Sequence, residues 1–382
     1  VATREKVLAL HSSSELYGAD RIFARVLQFL CSDGYSVDAY VPKKGLLCAY
    51  IESNSSIKVQ VFEHFPVAVR SAFGFLYLLR FLLKGFAFYF FLKKRAKRYD
   101  YLYINTMSLF FCVFLGRLAG YKNIIIHSHE IISCHGYLAR IMSFIAIASC
   151  TKLICVSEAV RSDLLISSGG RFKEKINVIH NGVAAPINGG CRTRRREDIY
   201  NKINYLLVGR IMPEKGQWFV IDSLALLDKK IIDRISFTFV GGAAPNREKL
   251  LDDLRARINK LGLGDTVNIL EFKTELSATY PDFDVCVIPS MMADPFPTTV
   301  LEAMSYKKPV IVTNHGGATE IVRDGFSGVL VTPGDCTQLS EAIAQYVKRS
   351  DLISIHGCNG YKYFQQNLTL DAFKKRFLRA FS

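Results

Sequence analysis

The sequence predicts an α/β protein made of two doubly wound parallel sheets, one after the other. Three observations carry this reading. Short apolar β-like runs alternate with helical periodicity along the whole chain. The alternation is interrupted once, by the Pro-, Gly- and charge-rich residues 185–198 (APINGGCRTRRRED). The 382 residues, half of them apolar, supply two domains at roughly 100–200 residues each.

Lys6–His11 reads as a buried parallel strand, followed by a Ser/Gly loop. Asp20–Leu30 sets Ile22, Phe23, Val26, Leu27 and Leu30 at helical spacing, and Asp33-Gly34 ends that helix. Strand resumes at Val37–Val41, and further short runs fall at Tyr101–Ile104, Asn123–His127, Lys152–Val156 and Asn177–Ile179. Beyond the break the alternation restarts with Tyr205–Val208, Phe237–Val240, Thr266–Ile269, Val285–Ile288, Pro309–Val312 and Gly328–Val331. Asp371–Phe381 closes the chain as an amphipathic helix. The expected organisation is an N-terminal domain over residues 1–184, a linker over 185–198 and a C-terminal domain over 199–360. The segment 361–382 is expected to pack back on the first domain.

Composition narrows the class. A charged fraction of 22% beside 50% hydrophobic residues excludes a disordered chain. Ten scattered cysteines form no CxxC pair and read as free, buried thiols of a cytosolic protein. Lys6–His11 is too short to be the apolar core of a signal peptide. The net charge of +15 is unevenly placed: residues 1–184 hold 23 basic and 12 acidic side chains, a net of +11, and the remainder holds 26 and 22, a net of +4. No zinc finger or RNP-like string accompanies this charge, so it fits a solvated surface or an anionic membrane better than nucleic acid.

Residues 71–100 (SAFGFLYLLRFLLKGFAFYFFLKKRAKRYD) concentrate the membrane question. A spanning helix is disfavoured, because Arg80 and Lys84 would each cost about 2.5–3.5 kcal/mol near its centre on insertion scales. Two readings remain open: a core helix pair whose cations reach out to water, or an interfacial surface lying on an anionic leaflet.

Ligands of open α/β sheets sit beyond the carboxyl ends of the strands, which directs attention to the loops there. After the first strand comes His11-Ser-Ser-Ser-Glu-Leu-Tyr17-Gly18-Ala-Asp20, a small-residue turn at a helix start, suited to an anion but lacking GxGxxG. After the first strand of the second half comes Gly209-Arg210-Ile-Met-Pro-Glu-Lys215-Gly216, whose two cations can clamp a diphosphate. The third string, Pro289-Ser-Met-Met-Ala-Asp294-Pro-Phe-Pro297-Thr298-Thr299-Val300-Leu-Glu302, places two carboxylates eight residues apart around a helix start. Amides near Thr298, Thr299 and Val300 can hold phosphate oxygens, Glu302 can accept both ribose hydroxyls, and Asp294 can hold sugar hydroxyls. A glycine-bearing loop, Asn314-His-Gly316-Gly317-Ala-Thr-Glu320, follows.

In this order the strings resemble the retaining glycosyltransferases of family 4, of GT-B fold with two facing Rossmann-like domains and a cleft between them. Val178-Ile-His-Asn-Gly182-Val and Asp335 in Thr-Pro-Gly-Asp extend the resemblance over nearly the whole chain. It implies that Arg210 and Lys215 hold the donor diphosphate, that Glu302 binds the ribose and that Asp294 contacts the transferred sugar. It further places Gly241 and Lys273 in the donor site, Gly18 and Tyr17 in the acceptor or phosphate loop, and His129 beside the reacting carbon. Two residues depart from the family pattern: the first acid is Asp294 where Glu is usual, and Pro297 follows Phe296 where Gly is usual.

Two strings are read as decoys. Asp282-Phe-Asp284 spells a DxD, but it precedes a strand, where an acid caps or faces a loop. His127-Ser-His129-Glu130 with Cys134-His135 has no ordinary zinc spacing. The resulting expectation is a metal-independent, retaining hexosyltransferase using a UDP- or GDP-sugar, with no nucleic-acid partner. Its acceptor is expected to be a saccharide on a polyprenyl diphosphate lipid, as in O-antigen, capsule or other surface-polysaccharide synthesis, including lipopolysaccharide. It would sit in the cytoplasm, peripheral on the cytoplasmic face of the inner membrane. The alternatives are a sugar-nucleotide epimerase of the same fold and, from another class, a basic nucleic-acid-binding protein.

Overall fold

The computed structural model describes residues 5–67, 75–132, 136–186, 202–243, 247–271 and 279–381. It divides into two compact units, one of Val1–Asn181 with Phe373–Ser382, the other of Gly182–Ala372. The expected linker lies, from residue 187 onward, outside the described residues.

The first unit runs β1 (Lys6–His11), α1 (Gly18–Ser32), β2 (Ser36–Val41), α2 (Leu46–Asn54), β3 (Val59–Val61), α3 (Phe75–Lys93), β4 (Tyr101–Asn105), α4 (Phe110–Ala119), β5 (Asn123–Ser128), α5 (Tyr137–Ser149), β6 (Lys152–Cys155), α6 (Glu158–Ser167) and β7 (Ile176–Val178). Its seven strands are all parallel, in the order β3-β2-β1-β4-β5-β6-β7. Helices cover both faces of such a sheet, which is why central strands read as unbroken apolar runs. Val7, Leu8, Ala9 and Leu10 of β1 are all fully buried. Strand β3 had no counterpart in the sequence reading: it is three residues long, at the sheet edge, and none of them is buried.

The second unit runs β8 (Ile203–Val208), α7 (Gln217–Leu224), α8 (Lys229–Ile232), β9 (Ile235–Val240), α9 (Lys249–Lys260), β10 (Val267–Leu270), β11 (Val285–Ile288), α10 (Thr298–Ser305), β12 (Val310–Thr313), β13 (Gly328–Val331), α11 (Cys336–Lys348) and α12 (Asp351–Asn367). Its six parallel strands follow the order β10-β9-β8-β11-β12-β13. The strand order reverses between β1 and β4 in one sheet and between β8 and β11 in the other. Those reversals open crevices at the carboxyl ends of the strands.

The C-terminal segment expected over 361–382 divides in two. Residues up to Asn367 complete α12, within the second unit. Helix α13 (Leu370–Phe381) then sets Phe373, Phe377 and Phe381, all fully buried, against Phe29, Tyr103 and Tyr101 of the first unit. Aromatic residues at i, i+4 and i+8 share one helix face, so this stripe supplies the docking energy.

The alternative of a core helix pair over residues 71–98 does not hold for the described part. Phe75–Lys93 is one helix, uninterrupted at Gly85, where a Cβ would crowd the Phe111 ring of α4. The glycine is a close-approach site and not a break. Each described cysteine is a free thiol, but Cys358 is exposed, against the expectation of burial.

Candidate active site

In the second unit, Gly216 adopts φ +83° and passes so close to the Pro289 carbonyl that no Cβ would fit. With the Met291 amide donating to the Glu214 carbonyl at 2.9 Å, this lays the Arg210–Lys215 loop beside the carboxyl end of β11. Lys215 Nζ thereby reaches Asp294 Oδ2 at 2.9 Å. Asp294 is steadied from its other side as well. Gly317 donates its amide to the Asp294 carbonyl at 2.9 Å, and Gly316 (φ +62°) has no room for a Cβ against that same residue.

Helix α10 starts at Thr298 with Pro297 in the capping position, which offers no side-chain acceptor to the first-turn amides. The Val300 amide donates to the Pro297 carbonyl at 3.1 Å, so the expected trio of phosphate-binding amides is reduced to those of Thr298 and Thr299. One turn further on, Glu302 Oε2 accepts the buried Tyr280 hydroxyl at 2.9 Å. This partner was missed in the sequence, because 22 residues separate the two and nothing in Tyr280-Pro-Asp282 announces it. Arg210 follows β8, where its carbonyl accepts Gln217 Nε2 at 2.8 Å. Gly241 follows β9, and a Cβ there would collide with the Gly209 carbonyl, so its glycine answers a packing need as well. Lys273 lies outside the described residues.

Asp284 stands at the opposite, amino end of β11, where Oδ2 accepts the Asn204 amide at 2.9 Å. The DxD string is therefore a strand-edge cap, as expected. Cys134 and His135 lie outside the described residues.

In the first unit, His11, Asn105 and Ser128 end β1, β4 and β5, and His129 follows directly. Asn105 Oδ1 lies 3.0 Å from both His129 Nε2 and the Tyr103 hydroxyl. The Tyr103 hydroxyl is 2.9 Å from His127 Nδ1, and the rings of His127 and His129 sit 4.2 Å apart. Glu130 Oε2 accepts the amides of His129 (2.9 Å) and Met107 (3.0 Å), pinning the backbone that carries His129. Tyr17 precedes Gly18 at the start of α1, and its amide donates to Asp20 Oδ2 at 2.7 Å. Asp20 Oδ1 in turn meets His11 Nε2 at 2.7 Å.

Burial sets the protonation states here. It pushes the His127 imidazole down to about 3 and His129 well below the usual histidine range, the latter helped by its neighbours His127 and His11. Both rings are therefore neutral at physiological pH. Burial raises the Glu130 carboxyl against the pull of the amides it accepts. Burial also acts to raise Asp20, but hydrogen bonding and charge from His11 and the Tyr17 amide outweigh it and hold that carboxyl low. Of this set, the sequence singled out His129 beside the reacting carbon and Tyr17 with Gly18 in the acceptor or phosphate loop, and offered His127 and Glu130 as part of a metal decoy. Asp20, His11 and Asn105 carried no recognisable spacing.

Polar side chains thus gather at the carboxyl edge of each of the two Rossmann-like parallel sheets. Residues 17–185 match the family model described as Glycosyltransferase Family 4, and residues 192–363 that described as Glycosyl transferases group 1. The chain belongs to the glycosyltransferases of GT-B fold.

Among curated relatives, the D-inositol 3-phosphate glycosyltransferase 1 of Catenulispora acidiphila is 28% identical over 214 residues, 54% of this chain and 51% of that protein. The chain spans about half the length of the curated relatives it matches. Anabaena HepE, solved with UDP and glucose, superposes with a TM-score of 0.80 at 24% identity, covering 98% of this chain and 99% of that one. The lipopolysaccharide outer core galactosyltransferase WaaB gives 0.74 at 17% identity, over 98% of each chain. At these identities the structural likeness shows the fold.

Proposed function

We propose that the protein is a metal-independent, retaining glycosyltransferase that moves a hexose from a UDP- or GDP-sugar to a saccharide carried on a polyprenyl diphosphate lipid, in surface-polysaccharide synthesis. The observation that carries this is the convergence of Arg210, Lys215, Asp294, Glu302 and the uncapped start of α10 on the carboxyl edge of the second sheet. Arg210, Lys215 and the Thr298 and Thr299 amides neutralise the leaving diphosphate, electrostatic work that needs no cofactor. Glu302 accepts from the ribose, and Asp294, with Lys215 beside it, holds the sugar. His129 hydrogen-bonds the sugar or the acceptor as the anomeric carbon–oxygen bond opens. The acceptor oxygen forms its bond on the same face, and its proton passes to the departing diphosphate. The UDP and glucose bound by HepE and the lipopolysaccharide acceptor class of WaaB support the choice of substrates.

The lipid-borne acceptor is supported by α3. Leu76, Leu79, Leu83, Phe86 and Phe90 recur at helical spacing and are all exposed, Leu76 at 70% and Phe86 at 66%. Lys84, Lys93, Lys94, Lys97 and Arg98 lie exposed on and just beyond the same helix. An apolar stripe beside a cationic cluster matches an anionic bilayer surface in both its layers. Among the described residues no helix is long and apolar enough to cross a membrane.

Release of nucleoside diphosphate from a panel of sugar nucleotides, in the presence of a lipid-linked saccharide extract, tests the activity. Release from one donor, with the anomeric configuration kept in the product, is expected. An epimerised sugar nucleotide with no release would instead select the epimerase reading.

A further inference from the structure

At the carboxyl edge of the first sheet, Asp20, His11 and Asn105 are hydrogen-bonded in series, and their partners fix where the protons sit. Ala19 contributes a carbonyl oxygen, which can only accept, 3.4 Å from the Asn105 amide nitrogen. Asn105 therefore turns its NH2 toward Ala19 and toward His11 Nδ1, 3.0 Å away, and its oxygen toward Tyr103 and His129. His11 Nδ1 also lies 3.3 Å from the Asn105 backbone carbonyl, but a hydrogen there would face the nearer NH2 at 3.0 Å, so Nδ1 accepts from that NH2 and the His11 hydrogen sits on Nε2. From there it is donated to Asp20 Oδ1 at 2.7 Å. The other Asp20 oxygen is committed to the Tyr17 amide at 2.7 Å, so only a carboxylate, accepting at both oxygens, satisfies this end.

At the far end, Asn105 Oδ1 has two lone pairs and two neighbours at 3.0 Å, the Tyr103 hydroxyl and His129 Nε2. We infer that Asp20, His11 and Asn105 form a positioning chain that holds His129 in the Nε2–H tautomer, with the Nδ1 lone pair left to accept a hydrogen bond from a sugar or acceptor hydroxyl. None of the three touches the reacting atoms. The hydrogen-bond partner of a ring nitrogen decides the tautomer, and here the Asn105 oxygen facing His129 Nε2 is oriented through His11 and Asp20. The catalytic consequence rests on the reading of His129 as the group beside the reacting sugar. The tautomer itself does not.

Ring 15N spectra of histidine-labelled protein decide the matter, with His129 assigned by its loss in His129→Gln. Wild type is expected to show a protonated Nε2 and an unprotonated Nδ1 at His129. Asp20→Asn can accept from only one of the Tyr17 amide and His11 Nε2, so the His129 shifts should move toward an average of tautomers. Turnover should then fall by about tenfold, the scale for outer partners of a functional histidine, at unchanged donor KM. His11→Gln provides a guard against misfolding, since its amide can donate to Asp20 and accept from Asn105. It should restore the His129 signature and most of the turnover lost in His11→Leu, whereas simple packing against Phe23 would favour the leucine. A wild-type His129 protonated on Nδ1, or shifts unmoved in both Asp20→Asn and His11→Leu, overturns the inference. Full turnover in His129→Gln with the tautomer results intact would remove the catalytic reading and leave the positioning chain standing.

Discussion

Lys215 Nζ stands 2.9 Å from Asp294 Oδ2, joining residues 79 positions apart across the carboxyl ends of β8 and β11. Both side chains are partly exposed, so the pair adds little to stability. Its consequence is orientation: the carboxylate that departs from the family's usual Glu by one methylene is aimed by the lysine and held through its own carbonyl by Gly317. Asp294→Ala should therefore leave the affinity for the bare nucleoside diphosphate nearly unchanged and cut turnover, because the sugar contact is absent from the free nucleotide. Calorimetry beside steady-state rates checks this. Equal losses of nucleotide affinity in Asp294→Ala and Glu302→Ala would refute the division of roles.

His129→Ala should lower turnover by about 10²-fold or more with little change in donor affinity, the signature of a group acting in the transition state. His127→Ala should stay active, and EDTA should leave the wild type unaffected. Loss of activity in EDTA with recovery on added Zn²⁺ would transfer the chemistry of this histidine pair to a metal.

Acid should weaken the fold through His127. Its imidazole titrates near 6.5 when unfolded and at about 3 when folded. Above the unfolded value both states hold it neutral and it contributes no pH dependence. Below that value the unfolded chain binds a proton that the folded one refuses. Stability then falls by up to about 1.4 kcal/mol per pH unit until the folded value is reached. His129 acts in the same direction. Urea unfolding of His127→Gln between about pH 6 and pH 4 should show a slope shallower by one proton. Parallel curves for wild type and variant would contradict the burial argument.

The architecture was legible because both faces of each sheet are covered, which turns central strands such as β1 and β11 into continuous apolar runs. Edge strand β3 escaped notice because three unburied residues leave no such signature. The strings proposed for the donor stand out as spacings because Arg210 with Lys215, and Asp294 with Glu302, lie on single loops or helix starts. The chain behind His129 was not, since His11 meets Asn105 across 94 residues and only the strand order brings them together. The contact of Tyr280 with Glu302 was hidden because only the fold brings those two positions, 22 residues apart, together. Two glycines answer packing needs that a sequence does not show: Gly85 lies against the Phe111 ring, and Gly241 against the Gly209 carbonyl.

Removing the charges of Lys93, Lys94, Lys97 and Arg98 should largely abolish sedimentation with anionic vesicles at low salt, at about 1 kcal/mol per surface cation. Arg95 is a poorer target, because its guanidinium packs over the Phe91 ring at 4.0 Å. Leu83→Glu with Phe86→Glu should have the same effect without altering the cluster. A wild type that fails to sediment with these vesicles would end the interfacial reading.

The second unit's nucleoside-diphosphate site is the central claim, and titration calorimetry of UDP, GDP and ADP against wild type, Arg210→Ala and Glu302→Ala tests it most directly. One of the three nucleotides should bind the wild type. Each substitution should weaken that binding by about tenfold or more, the loss expected when a hydrogen bond to a charged group is removed. A wild type that binds none of them, or variants that bind as tightly as the wild type, would contradict it.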